Sequence, residues 1–182
     1  MEDFSLYVLD ITMNSVRAGA DEIDVSITEV GDTLTLTVRD NGCGMTEEQL
    51  RHLSDPFFTT RKTRGVGLGV PFLKMLAEMT GGSLNVVSTP APDAGHGTTL
   101  TATFGRHHID FVPLGDLVGT VVTLVQGSPA VNFTYTHRTK SAEVFFSSAE
   151  VRAVLGEGIS LGEPEILGWI EGDLREQYTA LS

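Results

Sequence analysis

The spacing of apolar residues predicts the secondary structure of the first forty residues. Between Ser5 and Ala18, apolar residues recur every three or four positions, which predicts an amphipathic helix. Residues 23–27 and 34–38 alternate between apolar and polar, as half-buried strands do. Gly31-Asp32 lies between these two runs. We therefore expect the two strands to pair antiparallel across a turn.

The pattern continues with two helices and two further strands up to residue 105. Thr46 is a suitable N-cap for a short helix with acids in its first turn, and a longer helix is predicted over 70–79. Apolar residues alternate again over 84–86 and 100–104, on either side of a Pro- and Gly-containing turn. The order α-β-β-α-α-β-β predicts an α+β fold, a two-layer α/β sandwich whose helices cover one face of a mostly antiparallel sheet.

A change in composition at Arg106-His107-His108 predicts a domain of residues 1–105 and a small C-terminal α/β extension of residues 106–182. In the extension we expect helices over 115–125, 149–155 and 163–178 and strands over 131–135 and 143–146. Ser147 and Glu150 have the spacing of a capping box. The aromatic residues of the extension suit a docking surface or a dimer interface; the alternative is that they only enlarge the core.

Charge and composition narrow the classes of partner. The chain has 24 Asp and Glu against 12 Lys and Arg, a net charge of −12. Such a surface repels nucleic acid and anionic lipid, so we expect neither as a partner, but Mg²⁺ can neutralise a bound triphosphate locally. The single cysteine, Cys43, excludes an intrachain disulfide. Without a basic leader or a long apolar run, the sequence predicts a cytoplasmic protein.

The motif RDNGCGM, residues 39–45, is the first candidate for ligand binding. A carboxylate on Asp40, at the end of a strand, can accept a hydrogen bond from an exocyclic amine such as that of adenine. Gly42 and Gly44 would let the backbone approach a flat base closely, with the apolar Met45 beside it. The alternative is an ordinary Asp-Asn-Gly turn, which does not require a second glycine or an apolar residue.

Three polar residues share one face of the first predicted helix: Asp10, Asn14 and Arg17. The amide oxygen of Asn14 is a suitable hard ligand for Mg²⁺. Asp10 is placed to polarise a water, and Arg17 to meet a phosphate. Taken alone, these residues would be interpreted as a polar helix edge, and only the neighbouring motifs reverse that interpretation in favour of a site.

A glycine-rich loop precedes the helix predicted from Val70. Gly65, Gly67 and Gly69 run into its N-terminus, where backbone amides attract phosphate oxygens. A basic cluster lies just upstream: Arg61, Lys62 and Arg64. In an acidic protein this placement favours a phosphate-facing lid over a generic solvated loop.

Taken together, DITMNSVRAGA, RDNGCGM, DPFFTT and GVGLGV resemble the motifs of the gyrase, heat-shock chaperone, histidine-kinase and mismatch-repair (GHKL) ATPases. The resemblance covers Phe4 to about Phe104 and implies the GHKL ATP-binding fold. It implies that Asn14 binds Mg²⁺, that Asp40 recognises adenine and that Thr98 or Thr99 supports Asp40 through water. The remaining residues implied to bind ATP are Arg17, Gly42, Gly44, Met45, Phe58, Arg61, Lys62, Gly65, Val66, Gly67, Leu68 and Gly69, with a lid over 46–69.

The motifs carry features of two groups within the family. NSVRAGA resembles the mismatch-repair and gyrase ATPases, in which a glutamate activates water; the shorter Asp10 stands at that position. DPFFTT and the short lid resemble histidine and anti-sigma serine kinases, and we weight this larger block more heavily. No phosphoacceptor segment is expected before the first helix. His107-His108 is expected to be a polar linker, and His52, His96 and His137 to be surface residues.

Three functional hypotheses follow from the resemblance. The first is an ATP- and Mg²⁺-binding protein that transfers the γ-phosphate to an unidentified partner protein. The second is a slow ATPase that acts as a conformational switch, and the third is a non-catalytic sensor of ATP or ADP that regulates a redox enzyme complex. The tail resembles stand-alone kinase-like ATPases of anaerobic bacteria, often encoded beside iron-hydrogenase or NADH-dehydrogenase-like subunits. A homodimer is a further possibility.

Overall fold

Among the residues that the structure describes, a six-stranded sheet carries the fold. The computed structural model describes residues 2–53, 55 and 68–181. The sheet order is β3-β4-β2-β1-β5-β6. The strands are β1 (Glu22–Val30), β2 (Thr33–Asp40), β3 (Leu84–Thr89), β4 (Gly97–Gly105), β5 (Asn132–Arg138) and β6 (Glu143–Ser147). The helices are α1 (Phe4–Arg17), α2 (Glu47–His52), α3 (Gly69–Met79), α4 (Leu117–Gly127), α5 (Ser148–Leu155) and α6 (Pro164–Leu181).

Side-chain alternation along the strands separates a buried face from an open one. In β2, Leu34, Leu36 and Val38 are buried, whereas Thr35 and Thr37 between them point to the open face. Helices α1, α3 and α4 pack over the buried side, and their apolar residues join the same core. This arrangement confirms the predicted two-layer sandwich.

The strands of the C-terminal extension continue the sheet of the preceding residues. β5 pairs parallel with β1, from Glu22 opposite Asn132 to Thr28 opposite Arg138, and β6 pairs antiparallel with β5. Residues from both parts of the chain contribute to one hydrophobic cluster. Strands on both sides of residue 105 therefore belong to one sheet. The domain boundary at this residue stays a prediction. Within the described residues, no helix is long and apolar enough to cross a membrane.

A buried polar network joins the extension to β1, and it corrects the prediction that His137 is a surface residue. His137 is 1% exposed. Its Nε2 lies 2.7 Å from Glu29 Oε1 and its Nδ1 lies 2.8 Å from the Tyr178 hydroxyl. The Tyr135 hydroxyl lies 2.6 Å from that of Tyr178. Burial raises the pKa of Tyr178 to about 12, and it also raises the pKa of Tyr135.

The predicted helix starts match the structure closely. Thr46 and Gln49 form a complete capping box at α2, in which each side chain bonds the backbone N–H of the other residue. At α5, the Ser147 hydroxyl accepts from the Glu150 N–H at 3.3 Å. The capping box stabilises the start of α2, and this short helix lines the cavity of the candidate site.

Candidate functional site

A cavity of about 290 Å³ opens between α1, α2 and the ends of β2 and β4. Apolar residues from α1 and from the core side of the sheet line it together with several polar residues. The lining residues are Ile11, Asn14, Ser15, Arg17, Ala18, Val38, Asp40, Cys43, Gly44, Met45, Gln49, His52, Leu53, Val70, Val86, Thr98 and Leu100. This combination of flat apolar walls and a few polar groups is typical of small-molecule sites.

The carboxylate of Asp40 is held at one end of the cavity by three donors. Oδ1 accepts from the Gly42 N–H at 2.9 Å and from the Thr98 N–H at 3.3 Å. Oδ2 accepts from the Ser15 hydroxyl at 2.6 Å. Because a carboxylate has about four acceptor positions, the side chain still has capacity to accept from a ligand amine. Because Asp40 lines the cavity, its remaining acceptor positions are available to a ligand bound there.

Ser15 is a site residue that the sequence analysis missed. It is 5% exposed, and it lies on α1 directly after Asn14. Its signal was present in the sequence, because a serine on the buried side of an amphipathic helix needs a hydrogen-bond partner. The partner, Asp40, is 25 residues away in the chain, and only the packing of α1 on the end of β2 brings the two side chains together.

The glycines of the RDNGCGM motif are required by packing within the chain. A Cβ on Gly42 would lie 2.8 Å from the Cβ of Ala18, and one on Gly44 would overlap the carbonyl of Thr89. Gly44 also has a positive φ of 67°. Close packing against Ala18 and the end of β3 is thus a structural requirement for these glycines, and the approach of the backbone to a base stays a prediction.

Asn14 and Arg17 lie side by side at the cavity entrance, as predicted from their spacing. The Arg17 guanidinium donates to Asn14 Oδ1 at 2.8 Å. Among the described residues, no group of three or more His, Cys, Asp or Glu side chains forms a metal site. Asn14 nevertheless fits Mg²⁺, since this ion commonly takes one or two protein oxygens and completes its shell with phosphates and water.

Asp10 lies one helical turn before Asn14, but it does not line the cavity. Its carboxylate packs against Gly69, the first residue of α3, so closely that a Cβ at position 69 would overlap Oδ2. A carboxylate at this position complements the positive end of the helix dipole of α3. Asp10 is thus placed where the chain returns from the predicted lid.

The two threonines of the late GTT motif point in different directions. Thr98 lies opposite Asp40 in the β2–β4 ladder and lines the cavity, whereas Thr99 lies opposite Arg39 on the open face. Thr98 is therefore the threonine beside Asp40. Its hydroxyl lies 2.7 Å from that of Ser88, which in turn accepts from the Met45 N–H at 2.8 Å.

The lid prediction is only partly covered by the structure. Leu68 immediately precedes α3, and Gly69 begins it. Gln49 and His52 of α2 and the following Leu53 line the cavity, although none was a predicted site residue. Six predicted binding residues lie outside the described residues: Phe58, Arg61, Lys62, Gly65, Val66 and Gly67.

Known proteins are similar in sequence to about half of this chain. The chain is 32% identical over 93 residues to a probable C4-dicarboxylate sensor kinase of Bacillus subtilis, a match that covers 51% of this chain and 17% of that protein. It is 37% identical over 90 residues to a sensor histidine kinase of Klebsiella oxytoca, covering 48% of this chain and 19% of that protein. The chain thus spans less than a fifth of the length of these curated relatives.

Solved structures share the fold over a longer part of the chain. The N-terminal domain of a DNA repair protein matches with a TM-score of 0.58 and 19% identity, covering 87% of this chain and 58% of that one. The Aquifex aeolicus MutL ATPase domain complexed with ADP matches with a TM-score of 0.55 and 16% identity, covering 81% and 63%. At these identities the likeness shows the fold alone.

The match to a family of sequences covers the cavity and its motifs. The family described as histidine kinase-, DNA gyrase B- and HSP90-like ATPase matches residues 2–108 of the chain. This range is more than half of the 182 residues and includes α1, β1, β2 and the Asp40 site. The chain therefore belongs to the family of histidine kinase-, DNA gyrase B- and HSP90-like ATPases.

Proposed function

We propose that the protein binds Mg²⁺-ATP in the cavity and transfers the γ-phosphate to a side chain of a partner protein. The observation that carries this proposal is the Asp40 carboxylate, fixed by three hydrogen bonds in a cavity that is partly lined by apolar side chains. Family membership supports ATP binding, and the ADP complex of the Aquifex aeolicus MutL domain is consistent with a nucleotide in this fold.

Adenine would bind between the apolar walls, with its amine toward Asp40. Ile11, Val38 and Leu100 offer hydrophobic surface to the base, and Met45 closes the wall from the loop after β2. An amine donating to a fixed carboxylate is a charge-assisted hydrogen bond, which is about twice as strong as a neutral one. A base that carries an oxygen in place of the adenine amine would instead place an acceptor opposite the Asp40 carboxylate, which is also an acceptor.

The phosphates would extend toward the entrance, where Asn14 and Arg17 lie. Mg²⁺, when bound, neutralises part of the triphosphate charge and orients its oxygens. Asn14 Oδ1 is the atom that would hold the ion. Arg17 would then exchange its contact with Asn14 for a phosphate oxygen, since a guanidinium next to a metal-bound oxygen is electrostatically unfavourable.

Transfer to a partner is preferred over hydrolysis for a structural reason. Among the described residues, the Asp10 carboxylate packs closely against Gly69 at the start of α3, which supports a structural role for it over activation of a water. The similarity to sensor kinases supports the same choice. In the transfer, the acceptor atom forms a bond to the γ-phosphorus while the bond to the bridging oxygen breaks, ADP keeps that electron pair, and the acceptor's proton passes to solvent.

Two other functions use the same cavity. A slow ATPase switch would release phosphate without a partner, and a nucleotide sensor of a redox complex would bind without turnover. The proposal includes a cytoplasmic location, where ATP is supplied. A role of residues 106–182 in docking the partner, or in forming a homodimer, is likewise proposed, since the extension is fixed to the same sheet.

Calorimetric titration of ATP with and without Mg²⁺, combined with a γ-phosphate assay, tests the proposal. We expect Mg²⁺-dependent binding, little release of phosphate by the protein alone, and radiolabel on a co-purified protein. Steady phosphate release without labelled protein favours the switch ATPase, and binding without release or label favours the sensor. No binding of ATP under either condition would refute all three functions.

A further inference from the structure

The hydroxyl group of Ser88 lies at the centre of three hydrogen bonds beside the cavity. Its Oγ accepts from the Met45 N–H at 2.8 Å and donates to the Gly97 carbonyl at 3.0 Å. It also lies 2.7 Å from the hydroxyl oxygen of Thr98, the residue directly opposite Ser88 on β4. Of these residues, Met45 and Thr98 line the cavity. From the edge strand β3, Ser88 therefore contacts two residues of the candidate site.

The direction of the bond between the two hydroxyl groups follows from the other two partners. An amide N–H can only donate and a carbonyl oxygen can only accept, whereas a hydroxyl group has one proton to donate. If Ser88 donated that proton to Thr98, its oxygen and the Gly97 carbonyl oxygen would face each other at 3.0 Å as two acceptors. All three contacts are satisfied only when Ser88 donates to Gly97 and Thr98 donates to Ser88.

This direction decides what the Thr98 hydroxyl can offer to a ligand. Because its single proton is engaged with Ser88, only its lone pairs remain for the cavity that Thr98 lines. The Thr98 N–H donates to the Asp40 carboxylate, so the two residues are neighbours in the cavity, and an ionised carboxylate only accepts. This part of the cavity therefore presents acceptors from two side chains, and it suits a base that donates a hydrogen bond there.

We propose that Ser88 is a positioning residue for base recognition. It keeps the Thr98 hydroxyl an acceptor, so that the cavity discriminates against a base with an oxygen in place of the adenine amine. The inference rests on the proposed binding of ATP. Without the Ser88 hydroxyl, the Thr98 proton is free to turn toward such an oxygen, since a hydroxyl group rotates to suit its partner. Ser88 thus acts through Thr98 and not by touching the base.

The ratio of the Kd for inosine triphosphate (ITP) to the Kd for ATP, measured by calorimetry with Mg²⁺, tests this role. ITP carries an oxygen in place of the adenine amine. We expect wild type to bind ATP more tightly, and Ser88→Ala to lower the ITP/ATP ratio roughly three- to tenfold, as expected for one hydrogen bond. Ser88→Thr, which keeps a hydroxyl group, should restore the ratio toward that of wild type.

Ser83→Ala is the matched control. Ser83 directly precedes β3, and its hydroxyl oxygen lies 3.4 Å from that of Thr103, so the same chemical change is made beside another threonine of β4. It should leave the ITP/ATP ratio unchanged.

A double substitution separates action through Thr98 from a general effect on structure. Thr98→Val removes the hydroxyl group but keeps the shape of the side chain, so adding Ser88→Ala to it should not change the ratio further. A merely structural role of Ser88 would weaken the binding of both nucleotides alike and leave the ratio at its wild-type value.

The outcomes distinguish this inference from the proposed function. A folded Ser88→Ala variant with the wild-type ratio would overturn the inference while ATP binding by wild type still stands. So would an effect of Ser88→Ala that persists beside Thr98→Val, or equal affinity of wild type for ATP and ITP. Wild type that binds neither nucleotide would refute the proposed function, and this inference with it. Circular dichroism checks folding; if Ser88→Ala does not fold, Ser88→Cys, with its weak donor and acceptor, decides in its place.

Discussion

Replacing Asp40 by asparagine tests adenine recognition most directly, because the structure predicts how the new amide will be oriented. Oδ1 accepts two backbone N–H groups, from Gly42 and Thr98, so the amide oxygen must take this position. The NH₂ group then replaces Oδ2, where the Ser15 hydroxyl can rotate to accept from it. The variant should therefore fold, with about 1–2 kcal/mol lost from the free energy of unfolding because the hydrogen bonds are no longer charge-assisted.

Nucleotide binding should be affected much more strongly than folding. A hydrogen bond to a charged group contributes about 1.5–3 kcal/mol, and a donor left facing another donor costs about 1–3 kcal/mol. Together they predict a loss of roughly 3–5 kcal/mol, or about two to four powers of ten in the Kd for ATP. A hypoxanthine nucleotide, which has an oxygen in place of the adenine amine, should lose much less affinity and can accept from the new NH₂ group.

Calorimetric titration of ATP and ITP into wild type and Asp40→Asn measures both effects. Asp93→Asn, the same chemical change in the turn between β3 and β4, is the control and should leave both affinities unchanged. A thermal unfolding curve close to wild type shows that the variant is folded. If folded Asp40→Asn binds ATP as wild type does, Asp40 does not recognise the base and the orientation of the nucleotide in the cavity is wrong.

Three further predictions concern the same structure. Ser15→Ala should weaken ATP binding about tenfold, because Oδ2 of Asp40 loses its fixed donor, while Ser26→Ala on the open face should not; calorimetry compares the two. Asn14→Ala should weaken binding of Mg²⁺-ATP but not of metal-free ADP, and equal losses for both would make Asn14 a structural residue. In an alkaline titration followed by tyrosine absorbance, Tyr178 should ionise near pH 12. Because the pKa of Tyr178 is raised in the folded protein, its contribution to the free energy of unfolding is present below about pH 10 and is lost as the pH rises through about 12. Tyr178→Phe should remove this part of the alkaline loss of stability. An unchanged alkaline profile would contradict the raised pKa of Tyr178.

Local sequence patterns determined most of the secondary structure and indicated the candidate site residues, whose roles stay predictions. Apolar periodicity specified α1, β1 and β2 because each element buries one face. The apolar residues on that face recur with the period of the helix or strand. The predicted chemistry of Asp40 also depended on local information, since its strand end and the following Asn-Gly are adjacent in the chain. The Asn14–Arg17 contact came from helical spacing for the same reason.

Tertiary structure alone decided the contacts between residues far apart in the sequence. The parallel pairing of β5 with β1, the burial of His137 against Glu29 and the hydrogen bond from Met45 to Ser88 each join segments that have no mutual signal in a local pattern. Periodicity shows that a face is buried but not which element covers it. For the same reason the partner of Ser15 could not be identified from the sequence, because a hydrogen-bond partner 25 residues away is chosen by the whole fold and not by its neighbours in the chain.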